Sequence, residues 1–477
     1  ANGALLWQVK AGDPKAREYF AAAPLVWQGR LYLGVAGSDW GIRGRVMAFD
    51  TRDGRELWRF NTIPMGRETG ARSWRNPASA RTGGGGTWSS YALDPATGEL
   101  FVSVANPAPD FLPSRRPGDN LFTNSLVVLD ARDGRLEWWH QVGRNDSHDW
   151  DLAAAPMLYS TRDGQARVAL GSKDGHVYAV DRRTRRRVFQ TAVTRIENSA
   201  AVPTPQGVHV CPGGQAGVHW NGPAFDAARA QLLVGSVDAC GTFKSDPAAK
   251  RTLGMGYNGG AFTADPQAPL GRVTALDAAT GTTRWRFDSP VPIVAGVTPT
   301  AGGLVFTGDL AGDLIALNSD DGRLLGRWAS GGAIAGGVIS YRVGAAQYVA
   351  TTSGNISRLS FKSTGSPKIV VFALGDGSPA AAPRVVEVAP APAGGRADGP
   401  VDINWGKLLY ASHCAACHGA RGEGGGAAPA LTGLAQRRSY ADTVAFIKDP
   451  KAPMPRQFPA PLSAEEVDDI ATFIRAF

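Results

Sequence analysis

One phrase recurs along most of this 477-residue chain, and it constrains the fold more than any other feature. A short β-rich run closes on Asp or Asn, a turn of the Asp-Gly or Thr-Gly kind follows, and an apolar run ends in an aromatic residue. Copies read Ala48-Phe49-Asp50 to Trp58, Val128-Leu129-Asp130 to Trp138, Ala179-Val180-Asp181 to Phe189, Ala275-Leu276-Asp277 to Trp285 and Ala316-Leu317-Asn318 to Trp328. They lie about 40 to 100 residues apart, and a repeat of this kind is one supersecondary unit that cannot bury its apolar faces without neighbours.

The wider gaps hold a second strand-turn-strand phrase, Tyr91-Ala92-Leu93-Asp94-Pro95 and Ala224-Phe225-Asp226, which completes a four-stranded unit. A single twisted sheet of this length cannot cover itself, whereas sheets packed radially bury both faces and leave only short edges. The expected fold is an all-β propeller. Five fairly complete blades are legible, with half a blade near residues 332–360 and a lone closing strand at residues 4–10, so the chain reads as cut from a larger ring.

Residues 376–400 lack periodicity and are rich in Pro and Ala, the composition of a semi-extended linker. Beyond them, residues 405–413 and 441–448 have helical spacing, and Ser463 with Glu466 three residues on is a capping-box start. The expected domains are a propeller over 1–375, a linker over 376–400 and a small all-α domain over 401–477. No apolar run of about 18 residues predicts a transmembrane segment. The start at Ala1 has neither the basic end nor the apolar core of an export signal, and a processed or truncated N-terminus is expected. The net charge is +8. Residues 405–477 hold eight Lys and Arg against seven Asp and Glu, so the basic surplus lies in the larger domain. No Lys/Arg-rich tract points to nucleic acid.

Cys414-Ala415-Ala416-Cys417-His418 places two thiols one helical turn apart, suited to thioether links with both haem vinyl groups, with the adjacent His reaching the iron. Met454, between Pro453 and Pro455, is the candidate sixth ligand, since a soft thioether raises the reduction potential. This region resembles a class I cytochrome c, with Pro429 and Leu431 in the loop expected to pack on the proximal His. Covalent haem attachment takes place outside the bacterial cytoplasm, so a periplasmic location is expected. In that oxidising setting the two remaining cysteines, Cys211 and Cys240, are a candidate disulfide.

A haem moves one electron at a time, so the propeller is expected to hold a two-electron centre. In order along the chain stand Gly83-Gly84-Gly85-Gly86-Thr87-Trp88, Asn106-Pro107-Ala108-Pro109, Arg116-Pro117-Gly118-Asp119-Asn120 and Asp149-Trp150-Asp151. This series resembles the pyrroloquinoline quinone (PQQ)-dependent quinohaemoprotein alcohol dehydrogenases, whose propellers have eight blades, so that N-terminal blades are expected to be missing here. The resemblance implies that Trp88 stacks on the quinone, that Asp39, Asn106 and Asp151 ligate calcium, that Asp151 is the general base and that Lys173 is the cation beside the quinone oxygens.

Three departures accompany it. Asp39 stands where the family usually has Glu, Ala21 and Ala36 replace hydroxyl-bearing residues near the quinone carboxylates, and the family's adjacent-cysteine disulfide ring is absent. Ala153 stands where lanthanide-using relatives carry an extra acid, which favours calcium. The implied activity is oxidation of a small alcohol, an aldehyde or a sugar alcohol. Electrons would pass through haem c to an external acceptor: a soluble cytochrome, a copper protein or the membrane quinone pool. The other reading is a non-catalytic propeller scaffold fused to a cytochrome. His148, in a polar loop, is expected to be a satisfied surface group with no role.

Overall fold

The turn within each copy of the phrase is built by its Asp or Asn. Asp50 Oδ1 accepts the Arg52 N–H, Asp130 Oδ1 that of Arg132, and Asp277 Oδ1 those of Ala279 and Thr280, the local side-chain bonding that makes Asp a turn former. The strands on either side pair antiparallel, with a register shift at Ala48/Phe49, Val128/Leu129, Ala179/Val180, Ala275/Leu276 and Ala316/Leu317. Every copy is therefore a bulged hairpin. Four of the five turns close on a glycine; in the third copy Arg185 takes the same left-handed conformation at φ 60°.

The computed structural model describes residues 5–354 and 366–374 and, within 406–477, all but 408, 411, 412, 420, 426, 427, 453, 460 and 461. The expected linker over 376–400, Trp405 and Pro453 lie outside the described residues. The chain divides into two compact units, Ala1–Leu374 and Gly375–Phe477.

In the first unit five four-stranded sheets follow in chain order, each with its strands paired sequentially. Blade 1 comprises Leu25–Trp27, Arg30–Gly34, Arg45–Asp50 and Glu56–Asn61; blade 2 comprises Ala92–Asp94, Glu99–Val104, Ser125–Asp130 and Leu136–Gln141. Blade 3 comprises Met157–Ser160, Ala166–Gly171, His176–Asp181 and Arg187–Ala192; blade 4 comprises Ala224–Asp226, Gln231–Asp238, Leu270–Asp277 and Thr283–Ser289. Blade 5 comprises Thr298–Pro299, Leu304–Gly308, Asp313–Asn318 and Leu324–Ala329. The half blade expected near 332–360 is a three-stranded sheet, Val338–Val343, Ala346–Ser353 and Lys368–Ala373, whose last strand has no Asp-Gly turn to announce it.

Period-2 alternation gives each strand two faces, and in inner strands such as Glu99–Val104 and Gln231–Asp238 both are buried between sheets. Leu100 and Val102 pack with Tyr32, Val46 and Trp58 of blade 1, while Phe101 between them packs with Val168 and Tyr178 of blade 3. Blade 4 behaves likewise: Leu232 and Val234 meet blade 3, and Leu233 meets Val305 and Ile315 of blade 5. Each large apolar side chain fully buried this way contributes about 1.5–3 kcal/mol.

In the first, third and fourth copies the aromatic residue that ends the phrase, Trp58, Phe189 or Trp285, locks consecutive blades. Trp58 lies on Gly134 and donates through Nε1 to the Ala131 carbonyl at 3.2 Å; Trp285 lies on Gly322 and donates to Ser319 at 3.0 Å. Over the described residues 5–10, the closing strand expected at residues 4–10 is not formed. Residues 5–10 pair with no strand among the described residues, and the segment is held instead by Trp7, whose indole lies on Gly54 and donates to the Thr51 carbonyl at 2.9 Å.

Blade 4 carries a feature that the repeat does not predict. Between its second and third strands are inserted strands Gly241–Ser245 and Gly260–Ala264, which pair with the earlier Val208–Val210 in a separate three-stranded sheet. Val210 pairs with Gly241, and the adjoining Cys211 and Cys240 form a disulfide.

The second unit is all-α: α1 (Ala415–His418), α2 (Leu434–Arg437), α3 (Tyr440–Lys448) and α4 (Ala464–Ile474). Ser463 and Glu466 make the expected capping box at the start of α4. The core joins Leu409 and Tyr410 to Leu434, Ile447, Val467, Ile470 and Ile474.

Candidate active site

In a sheet of sequential antiparallel strands, the segment entering the first strand and the loop from the second to the third lie at the same end. That rule collects the expected site residues. Asp39, Asn106 and Lys173 occupy the second-to-third loops of blades 1, 2 and 3, while Trp88, then Asp149 and Asp151, and then Trp220 lie in the segments entering blades 2, 3 and 4.

The glycine run laces two of these loops together. Gly84 N–H donates to Ile42 O and Gly85 N–H to Asn106 O; Gly44 and Ala108 donate back to Gly84 and Gly83. Gly84 has φ 79°, and a Cβ there would fall 2.7 Å from the Asn106 carbonyl oxygen, so no other residue permits this approach.

Where the loops converge, carboxylates outnumber cations. Oxygens of Asp39, Asp110 and Asp149 lie within 4.8 Å of one another. Asn106 Nδ2 sits between two of them, 3.2 Å from Asp39 Oδ1 and 2.9 Å from Asp110 Oδ1, and its backbone N–H donates to Asp151 Oδ1 at 2.8 Å. Half a turn of the Asn106 amide would bring its oxygen to the same point. Lys173 Nζ lies 3.0 Å from Asp151 Oδ2 and 3.1 Å from Asp149 Oδ2.

Desolvation, with Asp151 nearby, raises the Asp39 pKa; desolvation and the Asp39 charge hold Asp110 well above the usual carboxylate range, and desolvation does the same for Asp149. Desolvation alone would lower Lys173, but Asp149, Asp151 and Asp39 outweigh it and hold the ammonium charged. Carboxylates crowded in this way are the donor set of a hard cation.

The structure thus brings together Asp39, Asn106, Asp151 and Lys173 from the sequence-based expectations. It adds Asp110, Asp149 and Asn258, whose Nδ2 donates to Asp110 Oδ2 at 2.6 Å. Asp110 adjoins a recognised phrase and Asp149 opens one, a signal that could have marked them; Asn258 carries none. Arg116 is fully buried and clamps the loops from behind, donating to the carbonyls of Pro109, Asp110 and Asp146 and to the amide oxygens of Asn120 and Asn145.

His148 is satisfied but not at the surface, which corrects the expectation for it. It is buried, stacks on Trp150 at 4.2 Å and bonds through Nε2 to the Ala201 carbonyl oxygen. Trp88 is half-buried, with its ring 6.3 Å from that of Trp220, and Trp220 is held by its Nε1 on the Ala335 carbonyl. Ala36 is buried and bridged to Tyr19 through the backbone, whereas Ala21 is exposed.

In the second unit, a cavity of about 270 Å³ is lined by Cys414, His418, Leu431, Ile447, Met454 and Ile470 among others. His418 Nδ1 is 2.9 Å from the Pro429 carbonyl oxygen, which leaves Nε2 to ligate a metal. Cys414, Cys417 and His418 lie on or beside α1. The Cys414 thiol, the His418 imidazole and the Met454 thioether on one apolar cavity, with Cys417 on α1 one turn from Cys414, fit a haem.

Residues 2–205 match the family described as glucose/ethanol/alcohol dehydrogenase, beta-propeller domain, and residues 403–477 match cytochrome c. Residues 2–205 thus carry a PQQ-dehydrogenase propeller domain and residues 403–477 a cytochrome c domain. Residues 270–367 of the propeller also match the family of the outer membrane protein assembly factor BamB.

Among curated relatives, quinohemoprotein alcohol dehydrogenase ADH IIB of Pseudomonas putida is 28% identical over 99% of this chain and 75% of its own length. The quinohemoprotein alcohol dehydrogenase of Comamonas testosteroni is 25% identical over 100% of this chain and 74% of its own. The solved structure of ADHIIG from Pseudomonas putida superposes with a TM-score of 0.71 at 22% identity, covering 98% of this chain and 76% of that one, and shares its fold.

Proposed function

We propose that this chain is a periplasmic quinohaemoprotein that oxidises a small alcohol with PQQ and calcium and passes the electrons through haem c. The coarse activity, that of a PQQ-dependent alcohol oxidoreductase, follows from its homologues. The finer reading rests on one observation: Asp151 is buried, with one oxygen held by the Asn106 N–H and the other by Lys173, among carboxylates that need a cation.

When bound, PQQ supplies a two-electron acceptor, calcium a Lewis acid beside it, and the haem a one-electron carrier. Asp39, Asn106 and Asp151 would hold the calcium, Trp88 the face of the quinone and Lys173 its oxygens. Asp151 takes the hydroxyl proton of the alcohol as general base. Lys173 keeps the Asp151 carboxylate oriented and places positive charge where negative charge develops. In the second unit, Cys414 and Cys417 would bind haem covalently, with His418 and Met454 on the iron. The periplasmic location is supported by the Cys211–Cys240 disulfide and the haem-attachment motif.

The test is to load the haem-bearing protein with PQQ and calcium and to offer a panel of primary alcohols, aldehydes and sugar alcohols under a visible spectrophotometer. Substrate-dependent appearance of the reduced haem spectrum is expected. Silence toward every substrate would leave the reading of a non-catalytic scaffold.

A further inference from the structure

Asp110 belongs to no ligand set that the resemblance implies, yet it faces the same point as Asp39. The two carboxylates share one partner, Asn106 Nδ2, and their oxygens lie within 4.8 Å of each other and of Asp149. Among the described residues neither Asp39 nor Asp110 has an ion-pair partner, because Lys173 engages Asp149 and Asp151. Arg116, behind the loop, bonds to carbonyl and amide oxygens and to no carboxylate.

Asp110 is also held in place. It is fully buried, Arg116 grips the backbone carbonyls of Pro109 and Asp110, and the Phe111 N–H is tied to the Asn258 carbonyl at 2.7 Å. Its second oxygen is oriented by Asn258 Nδ2, the kind of outer contact that aims a ligating carboxylate at its metal. Asp39, meanwhile, is one methylene shorter than the glutamate usual at its position.

We propose that Asp110 is an additional ligand of the metal, making good the reach that Asp39 lacks. This rests on the reading of the propeller site as a calcium site. A hard cation here would then be surrounded by carboxylates from three loops: Asp39 of blade 1, Asp110 of blade 2 and the Asp149–Asp151 segment entering blade 3.

The experiment is calcium titration by calorimetry on the whole haem-bearing protein after chelation, beside the melting temperature of the chelated protein. Asp110→Asn should weaken calcium binding at least tenfold while the chelated protein melts at the same temperature or higher, since a crowded charge has been removed. A purely structural acid would instead lower the melting temperature of the chelated protein. The double change Asp39→Glu with Asp110→Asn should recover most of the lost affinity.

Asp110→Ser, small and neutral, is read in the same way if the amide variant does not fold. Calcium affinity of the Asp110 variants within twofold of the wild type would overturn the proposal and leave the calcium site standing. So would no recovery in the double variant. Failure of the wild type to bind calcium would overturn both.

Discussion

In the proposed mechanism Lys173 and Asp151 divide two tasks. Burial would make a lysine easier to deprotonate, but three surrounding carboxylates hold Lys173 protonated, so its amine is a fixed charge and not a proton acceptor. In the proposed mechanism the proton of the substrate therefore falls to Asp151, whose oxygens are already aligned by Asn106 and Lys173. Asp151→Asn keeps the shape and the bond from the Asn106 N–H but cannot take a proton. Alcohol-driven haem reduction is expected to fall by about 10²–10⁴-fold, with the haem spectrum and melting temperature retained; turnover near the wild-type rate would assign the base elsewhere. Asp110 and Asp149 show the other side of residue-scale reading. Each is an ordinary turn acid by sequence, and only the company of Asp39 changes its meaning.

At the scale of the element, the bulged hairpin and the aromatic residue lying on its turn form the joint between blades. Gly134 has φ 75°, and a Cβ there would meet the Trp58 ring at 2.5 Å; Gly164 has a similar φ of 79° with nothing within 4 Å. Both positions carry the strain of a left-handed residue, about 1–2 kcal/mol when glycine is replaced, but only Gly134 carries the joint. Gly134→Ala should therefore cost about 1–3 kcal/mol more than Gly164→Ala, the usual penalty for overpacking. Urea unfolding followed through the propeller's tryptophans reads the difference, and equal midpoints for the two variants would show that the indole contact does not hold the blades. The phrase made these hairpins legible because the Asp, the turn residue and the aromatic residue are neighbours in sequence. The inserted sheet of blade 4 was hidden, since its strands are short and one of them, Val208–Val210, lies more than thirty residues before its partner Gly241–Ser245.

For the whole molecule, the proposed function puts a two-electron propeller and a one-electron carrier in one chain, so that electron delivery would be an internal event. After mixing the PQQ-loaded protein with saturating alcohol, the first-order rate of haem reduction should not change over a tenfold range of protein concentration, as stopped-flow absorbance would record. A rate rising in proportion to concentration would mean that electrons pass between molecules. The sequence alone determined the propeller, the small helical domain, the Cys-Ala-Ala-Cys-His motif and the order of the site phrases, because each is written in residues close along the chain and rests on local turn, strand and helix chemistry. The tertiary structure alone decided which acids meet: Asn258 reaches Asp110 across 148 residues, and Asp39, Asp110 and Asp149 converge from separate loops. It also decided that Trp7 serves as a blade lock in place of a strand, and that His148 is buried. Such contacts follow from blades stacking face to face and bringing the same end of each sheet to one place, which no local pattern records.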